Sequence, residues 1–469
     1  MPRLRLARST IQQAMGWLSP PNVRPAAGER AVCNWDEDSL TLGVEAARGC
    51  LRGQHPPRAV TLASTTLPFL DRSNAALLAT ALDLAAGTET LDVTGTLRAG
   101  TTALAQALRR GDAMTTLLVA SDAREARPGS QEEMDFGAAA VALLLAPADS
   151  AGSGPVLAQV LATAHLAADF VDHYRMEGEA FDYALEERWV RDAGIAKLLP
   201  QAIATALASA GISAADVQHC VLPVSAAAAQ RLVRAHGLDK AQLTDTQRAA
   251  CGEAGVAQPL LMLAAALEIA IPGENILLVG FGQGVDVTVL RVPANAATGQ
   301  RPLAAALGAR REEKSYTRYL SHRGLLEVDF GKRAERDNRS APSVMWRKSR
   351  QLTGFVGGRC STCATVQFPK SRVCVNPACR ASDTQEDLRL AELAGRVKSF
   401  TEDWQAYAPR PPAMYGNVEF EGGGNLLMEI TDAAAGELAV GMPVRFVFRI
   451  KDVDRLRAFR RYFWKATGR

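Results

Sequence analysis

The sequence predicts an α/β protein in which one α/β unit is duplicated, followed by a zinc ribbon and a small β-barrel. Three observations lead to this prediction. Short buried strands alternate with helical segments over residues 1–292. Four of the eight cysteines crowd into residues 360–379. Short strands between Gly and Pro turns fill the residues after Cys379.

The composition is that of a globular protein with more than one domain. The chain has 469 residues, of which 48% are apolar and 22% charged, and 53 Lys and Arg face 50 Asp and Glu. A net charge of +3 gives no field that favours nucleic acid or a membrane surface. The longest apolar run, Ala138–Ala146, is shorter than the roughly 20 residues of a membrane-spanning helix. We therefore expect a cytoplasmic protein without a nucleic-acid or membrane partner.

Two successive stretches of residues 1–292 have the same order of elements. The first has predicted strands Ala59–Ser64, Thr90–Gly95, Thr115–Ala120 and Ala138–Leu145, and helices Ser73–Leu84 and Gly100–Arg110. The second has predicted strands Val156–Ala164, Cys220–Pro223, Asn275–Phe281 and Val285–Val292, and helices Lys197–Ala210 and Gln258–Ala270. The runs that begin at Thr115 and at Asn275 are alike, and each precedes another apolar strand. This repetition indicates an internal duplication.

The residues after the duplicated region change in character. Residues 293–350 are rich in charge and are predicted as a linker, residues 351–390 as a zinc ribbon, and residues 391–469 as a barrel of the OB type. The barrel strands are predicted at Gly395–Thr401, Gly416–Phe420, Leu426–Thr431 and Val444–Ile450. Nine Lys and Arg against two Asp in Arg445–Arg469 predict a locally basic tail.

The clustered cysteines predict a structural zinc site. Cys360 and Cys363 are separated by two residues and Cys374 and Cys379 by four, with ten residues between the pairs. Zn²⁺ prefers tetrahedral thiolate ligation, and four protein ligands leave no position for a reactive water. The alternative is four reduced cysteines without metal. A ribbon and barrel could also bind nucleic acid, but acidic residues interleave the available aromatics, which argues against that function.

Two groups of motifs carry a family resemblance. Asp92–Thr101 and Phe281–Gly284 resemble the nucleophile loop and the late glycine-rich loop of hydroxymethylglutaryl-CoA synthases and ketoacyl synthase III enzymes, with similarity over roughly residues 1–292. The segment from Cys360 through Val444 resembles zinc-ribbon/OB-fold proteins that accompany thiolases. The resemblance implies a duplicated, five-layered thiolase-like fold, coenzyme A thioesters as ligands, and a dimer or pseudo-dimer paired through the strand in Thr90–Thr96.

The sequence departs from this family at its reactive positions. Leu97 stands where the synthases have their cysteine nucleophile, Pro223 stands for the histidine, and Glu253 stands for the asparagine of the ketoacyl synthases. The glutamate of the hydroxymethylglutaryl-CoA synthases falls near Thr66 or Leu67. Leucine has no heteroatom that can attack a thioester, so no acyl-enzyme is expected at this position.

We therefore expect a non-catalytic or weakly catalytic scaffold subunit that binds acyl-CoA and works with a thiolase-type catalytic subunit. The predicted coenzyme A contacts are Arg347, Lys348, Arg350 and Trp404. The alternative is an active synthase-like acyltransferase with a non-standard nucleophile, for which Cys33 and Cys251 are candidates. A second alternative is a nucleic-acid-binding ribbon/OB protein. His173, next to Asp172, is either a base oriented by a carboxylate or a surface histidine.

Overall fold

The computed structural model describes every residue except 19–23, 25, 110–113, 148–155, 239–242, 297–298, 300 and 469, so the predicted ends at Arg110 and Arg469 lie outside the described residues. The chain forms two compact units. Unit 1 comprises Met1–Cys33, Ala46–Ala75 and Thr88–Tyr316, and unit 2 comprises Asn34–Glu45, Ala76–Gly87 and Thr317–Arg469. Two short segments of the N-terminal half therefore belong to the C-terminal unit, which the sequence did not predict.

The first α/β repeat contains the six predicted elements, together with others that were not predicted. In chain order they are β1 (Leu4–Ala7), α1 (Arg8–Ala14), β2 (Glu29–Ala31), α2 (Ser39–Leu51), β3 (Ala59–Ala63), α3 (Asn74–Ala81), β4 (Glu89–Val93), α4 (Ala99–Arg109), β5 (Thr116–Ala123), α5 (Gln131–Asp135) and β6 (Ala138–Leu145). Strands β3 and β5 are buried throughout because they are the two inner strands of a four-stranded sheet.

The second repeat continues to Tyr316. Its elements are β7 (Gln159–Ala167), β8 (His173–Tyr174), β9 (Tyr183–Ala184), α6 (Glu187–Trp189), α7 (Ala196–Ala210), β10 (His219–Val221), α8 (Ala226–Ala235), α9 (Arg248–Cys251), α10 (Gln258–Leu267), β11 (Asn275–Phe281), β12 (Gly284–Arg291), α11 (Pro302–Gly308) and β13 (Arg311–Glu313). Residues 293–350, predicted as a linker, thus contain regular structure. Strand β13 pairs with β1, which ties the start of this stretch to unit 1.

Two four-stranded sheets organise unit 1. Their strand orders are β4-β3-β5-β6 and β10-β11-β12-β7, and β6 and β12 run antiparallel to their inner neighbours β5 and β11. Helix α4 packs against strands of both sheets, as does α10. The side chains of these two helices supply much of one continuous apolar core. The predicted duplicated α/β architecture is therefore confirmed.

The stretch Glu187–Ala210 is long and apolar enough to cross a membrane by length and composition, and it is the one such helix in the described part of the chain. Its Leu199, Ile203 and Leu207 are buried in a second apolar core of unit 1. The segment packs on β7 and β12. This segment is therefore a core helix of unit 1.

Unit 2 carries a small three-stranded sheet and a closed barrel. Its elements are α12 (Tyr316–His322), α13 (Pro342–Arg347), α14 (Ser349–Leu352), β14 (Val356–Cys360), β15 (Val366–Gln367), β16 (Gln385–Arg389), β17 (Gly395–Asp403), β18 (Ala413–Phe420), β19 (Asn425–Thr431), β20 (Pro443–Asp454) and β21 (Phe459–Gly468). The barrel order is β17-β18-β19-β21-β20. This confirms the predicted small barrel, although β21 lies where only a basic tail was predicted.

An aromatic cluster fills the barrel end that faces the ribbon. Phe355 lies against Phe446 and Trp464 with ring centroids 5.6 and 5.9 Å apart. All three side chains are fully buried. The Trp464 indole N–H donates to the Thr353 carbonyl at 2.7 Å, so the buried ring keeps its hydrogen bond.

Unit 2 also buries a group of charged side chains, which we call the Asp36 cluster: Asp36, Glu37, Asp432, Arg449 and Lys465. Lys465 Nζ lies 3.0 Å from Asp36 Oδ2, and Arg449 Nη2 lies 3.0 Å from Glu37 Oε1 and 2.9 Å from Asp432 Oδ2. Buried charges persist only when they are paired. The segment Asn34–Glu45 is therefore held on β20 and β21 by ion pairs.

Candidate functional site

The loop before α4 brings Leu97 against the glycine-rich turn that joins β11 to β12. Thr96 Oγ1 donates to the Gly282 carbonyl at 2.6 Å. A Cβ placed on Gly282 would lie 3.4 Å from Leu97 Cβ, and the Gly282 φ of +154° suits only glycine. The two stretches that resemble the nucleophile loop and the late glycine-rich loop are thus in contact, with Leu97 half-buried between them.

Arg98 turns its side chain inward instead of offering it to a ligand. Its Nε donates to the Gly282 carbonyl at 3.0 Å, and its Nη1 donates to Asp286 at 3.1 Å and to Thr102 Oγ1 at 3.1 Å. The Asp286 carboxylate also accepts a hydrogen bond from the Thr102 hydroxyl, and it lies within hydrogen-bonding distance of His165 Nδ1. The guanidinium therefore fastens the glycine-rich turn to the start of α4.

Asp122, at the end of β5, is the hydrogen-bonding centre of a second loop cluster. It accepts bonds from Ser64 Oγ at 2.9 Å, Thr65 N at 2.8 Å, Thr66 Oγ1 at 3.0 Å and Val256 N at 2.9 Å. Burial raises the pKa of Asp122, while these hydrogen bonds oppose the rise. Thr66, one of the two positions assigned to the synthase glutamate, is committed to this carboxylate.

Glu253 is committed to an ion-pair network. Arg124 Nη1 lies 2.7 Å from Glu253 Oε2, and Arg124 Nη2 lies 2.7 Å from Asp182 Oδ2. Arg175 Nη1 donates to the other Asp182 oxygen at 2.8 Å, and Arg175 Nη2 donates to the Thr65 carbonyl at 2.5 Å. The Glu253 carboxylate therefore balances a buried guanidinium.

Pro223 follows β10 by two residues, at the same sheet edge as the glycine-rich turn. Strands β10 and β11 are parallel, with Val221 opposite Leu278, so their carboxyl ends meet at one edge. Gly280 packs on Thr101 of α4, since a Cβ at Gly280 would fall within 2.0 Å of Thr101 Oγ1. Neither Pro223 nor its neighbour Val224 carries a group that could transfer a proton at this edge.

The two cysteines considered as substitute nucleophiles are buried. The Cys251 thiol lies against the Gln247 carbonyl, and burial raises its pKa to about 11. Cys33 is also buried. The thiolate is the reactive form of cysteine, so a raised pKa leaves Cys251 inert at neutral pH.

The ribbon cysteines come together as predicted. The Sγ atoms of Cys360, Cys363, Cys374 and Cys379 all lie within 4.8 Å of one another. The Cys360–Cys379 and Cys363–Cys374 separations are 3.9 and 3.6 Å, close to the roughly 3.8 Å sulfur spacing that 2.3 Å Zn–S bonds in a tetrahedron require. The four thiols fit a structural zinc ion.

The predicted coenzyme A contacts are dispersed over unit 2. Arg347 and Lys348 close α13 and are exposed, and within the described part of the chain neither forms an ion pair. Arg350 is paired with Asp83 at 3.1 Å and with Asp387 at 2.7 Å, so it braces the ribbon sheet. Trp404 follows β17 directly and is 67% exposed.

Residues 330–336 contact the loop that carries Trp404 and hold it in place. Arg333 donates to the Gln405 carbonyl, and Arg336 donates to the Tyr407 carbonyl at 3.0 Å. The Tyr407 ring packs edge-on against Phe330 with centroids 5.3 Å apart. Tyr407 therefore anchors the loop, whereas Trp404 is left on its surface.

The predicted basic tail is two barrel strands whose cations are mostly paired. Arg460 and Tyr462 both contact Asp38, at 3.1 and 2.7 Å. Lys465 is shared between Asp36 and Glu429. Most of the described cations of this basic run thus form ion pairs within unit 2.

Sequence reasoning missed the polar groups that bind the loops together. Asp122 and Asp286 each interrupt or end an apolar strand, and a lone carboxylate in a buried strand is the signal that could have found them. Arg98, the partner of Asp286, lies 188 residues before it, and Val256, whose backbone N–H donates to Asp122, lies 134 residues after it. Only the fold pairs them.

Comparisons with known proteins agree with this two-part organisation. Residues 354–385 match the family model described as ChsH2, rubredoxin-like zinc ribbon domain, and residues 389–449 match ChsH2, C-terminal OB-fold domain. The hydroxymethylglutaryl-CoA synthase of Thermococcus kodakarensis is 25% identical over 343 residues, which cover 69% of this chain and 93% of that protein. That of Aeropyrum pernix is 26% identical over 351 residues, covering 70% and 93%.

Solved structures show the fold of the larger part. A hydroxymethylglutaryl-CoA synthase complexed with CoA superposes with a TM-score of 0.58 at 15% identity, covering 72% of this chain and 92% of that one. The 3-oxoacyl-(acyl carrier protein) synthase III of Pseudomonas aeruginosa gives 0.53 at 22% identity, covering 63% and 96%. The chain thus joins a thiolase-like domain similar to hydroxymethylglutaryl-CoA synthases to a zinc ribbon and OB-fold domain of the ChsH2 type.

Proposed function

We propose that this chain is an acyl-CoA-binding subunit of a thiolase-type acyltransferase complex, and that it forms no acyl-enzyme of its own. The observation that carries the proposal is Leu97. It lies against Gly282 at the position where the resembling synthases have their nucleophile, and its side chain cannot attack a thioester. Glu253 is tied to Arg124 in the same unit, so it is not free to act in its place.

Binding of a coenzyme A thioester is supported by the relatives. One structural neighbour is complexed with CoA and another with 3-hydroxy-3-methylglutaryl coenzyme A. The loops that meet at Leu97 resemble the nucleophile loop and the late glycine-rich loop of the synthases, and α4, which follows the first of them, packs on β11. A scaffold that keeps this packing while losing the nucleophile would retain the ligand and lose the covalent step.

The second half of the proposal concerns unit 2. A ribbon and barrel of the ChsH2 type would complete an acyl-CoA site for a thiolase-type partner. Trp404, exposed on a loop that Arg333 and Arg336 hold in place, offers a flat surface for an adenine ring or a partner protein. Of the three predicted cations, Arg347 and Lys348 are available to bind phosphate, because Arg350 forms ion pairs with Asp83 and Asp387.

The test is calorimetric titration of the full-length protein with acetyl-CoA and with free coenzyme A. We expect one site per chain for either ligand. Trp404→Ala should weaken binding about tenfold, since a stacked base contributes about 1–3 kcal/mol. Trp17→Ala is the matched control, because Trp17 is 77% exposed and lies in unit 1.

Two results would count against the proposal. Absence of binding by the wild-type chain would remove acyl-CoA as the ligand. Equal affinities for Trp404→Ala and wild type would limit the site to other residues, and the Arg347→Gln, Lys348→Gln double variant would then test the remaining cations.

A further inference from the structure

Strands β8 and β9 form a small hairpin in unit 1, which the proposed function does not use. Two residue pairs join the strands, His173 with Ala184 and Tyr174 with Tyr183. Residues 176–180 form the tip of the hairpin and are exposed. A two-stranded ribbon of this size is at most marginally stable in water on its own. The position of the hairpin is therefore set by what its side chains bind in the rest of the unit.

Asp182, which directly precedes β9, fastens the hairpin to the end of β5. Arg124, the residue after β5, donates from Nε and Nη2 to Asp182 Oδ2 at 3.1 and 2.7 Å. Arg175, which directly follows β8, donates to the other Asp182 oxygen at 2.8 Å. The side chains of Asp182 and Arg124 are each 5% exposed. Removing one partner of a buried ion pair leaves an uncompensated charge, so this attachment is costly to break.

Two further hydrogen bonds tie the hairpin to neighbouring loops. Arg175 Nη2 donates to the carbonyl of Thr65, which lies in the loop after β3, at 2.5 Å. Gln283 Nε2 donates to the His173 backbone carbonyl at 3.2 Å, and Gln283 belongs to the glycine-rich turn against which Leu97 lies. Each attachment is made by a side chain. The hairpin can therefore move away without breaking either four-stranded sheet of unit 1.

The loops that hold the hairpin lie at the same edge of a sheet as Leu97. Strands β3, β4 and β5 run parallel, so their carboxyl ends meet at one edge. The residues after these three ends include Thr65, Leu97 and Arg124 in turn. The hairpin binds the first and the third of these residues, and it also binds the turn that contacts the second.

We propose that the β8–β9 hairpin is a movable cover over the Leu97 position and that Asp182 is the latch that holds it closed. In the closed state the ion pairs of Asp182 with Arg124 and Arg175 keep the hairpin on this edge of the sheet. Opening breaks those pairs and exposes the Leu97 side chain to molecules in solution. This inference goes beyond the proposed function, because the cover closes the position whether or not a ligand binds.

The test measures how fast a thiol placed at the Leu97 position is alkylated. Full-length Leu97→Cys is treated with N-ethylmaleimide, and the labelling of that position is followed by peptide mass spectrometry. We expect slow labelling, and labelling at least about tenfold faster when Asp182→Asn is added, because the unpaired Arg124 favours the open state. Arg175→Gln leaves Arg124 paired with Asp182, so it should give a smaller increase. Asp192→Asn is the matched control, since Asp192 forms an exposed pair with Arg191 in the same unit.

Three results would overturn this assignment. Labelling of folded Leu97→Cys as fast as in the urea-unfolded chain would show that nothing covers the position. Unchanged rates in both Asp182→Asn and Arg175→Gln would show that Asp182 is not a latch. An equal rise in the labelling of the buried Cys251 would show that the ion pairs hold unit 1 as a whole and not a separate cover. None of these measurements uses a coenzyme A thioester, so they stand apart from the outcome of the calorimetric titration.

Discussion

Burial sets the protonation of Glu37 in the Asp36 cluster. Burial raises the pKa of Glu37 to about 7, although the Arg449 guanidinium opposes the shift. The carboxyl group of the unfolded chain titrates near its ordinary value of 4.5. Between these two values the folded state holds a proton that the unfolded chain has released. The free energy of unfolding therefore falls as the pH rises from about 4.5 through about 7.

Glu37→Gln should remove this part of the pH dependence. Glutamine keeps the shape of the protonated acid and leaves Arg449 paired with Asp432. We expect the variant to be less sensitive than wild type to a change from pH 5 to pH 8 in urea denaturation of unit 2. Glu421→Gln, an exposed position, should keep the wild-type slope. Identical slopes for Glu37→Gln and wild type would show that Glu37 is ionised throughout.

Single residues also show how much of the candidate sites could be predicted from the sequence. Leu97 and the four ribbon cysteines were found because they occupy fixed places in recognisable patterns. The partners of Arg350 and of the basic tail could not be predicted, because a charge run carries no information about partners. Asp83 lies 267 residues before Arg350, and Asp36 lies 429 before Lys465. Pairings at that separation are set by the fold alone.

Elements were predictable where the periodicity is strong. The buried strands β3, β5 and β11 and the helices α4 and α7 lie close to their predicted bounds, because continuous apolar runs and helical spacing specify them locally. Strand β21 was missed because Arg460, Arg461 and Lys465 interrupt its apolar residues. In the barrel those cations find carboxylates, so tertiary pairing offsets an unfavourable local pattern.

The ribbon is the element whose stability depends most on one bound ion. Cys360→Ser should reduce the zinc content from one equivalent per chain to none, and it should destabilise unit 2 while unit 1 stays folded. The reason is that metal-binding free energy becomes folding free energy where the ligands lie. Elemental analysis and the thermal transitions of the two units measure this outcome.

Cys50→Ser provides the control for this substitution. Cys50 is a half-buried cysteine of α2 outside the ribbon, so its replacement should leave the zinc content unchanged. Wild-type protein purified without chelator and found free of zinc would contradict the assignment of the four thiols.

On the scale of the whole molecule, β4 leaves one sheet of unit 1 with an open edge. Among the described residues, β4 pairs with β3 alone in the order β4-β3-β5-β6, and Leu91 on it is 48% exposed. An exposed apolar edge strand is a template for further pairing. We therefore predict self-association through β4. Light scattering at micromolar concentration should give about twice the chain mass of 50.0 kDa.

Leu91→Lys should shift this equilibrium to the monomer, because a charge on an edge strand opposes pairing. Ile269→Lys is the control, since Ile269 is an exposed apolar residue of unit 1 away from this edge. If the wild-type protein is a monomer, β4 does not pair with a second copy of the chain, and only pairing with a homologous partner chain remains.

The fold of the whole molecule followed from repetition and from the two motif groups. What could not follow was the exchange of segments, in which Asn34–Glu45 and Ala76–Gly87 join unit 2. The local sequence does not show whether the acidic turn in Asn34–Glu45 is exposed or is paired with the buried cations Arg449 and Lys465. At the candidate site the sequence predicted only that the family's reactive side chains are missing. The roles of Arg98 and Arg124, which hold the loops of the site together, became visible only in the folded structure.

Intact-mass spectrometry of the full-length protein after incubation with acetyl-CoA tests most directly whether this chain lacks covalent chemistry. We predict an unmodified mass for the wild type. Leu97→Cys should not acquire acyltransferase turnover, because a nucleophile without its base and oxyanion donor does not act alone. A stoichiometric acetyl adduct on any cysteine of the wild-type protein would contradict the proposal and would identify the chain as an active acyltransferase with a different nucleophile.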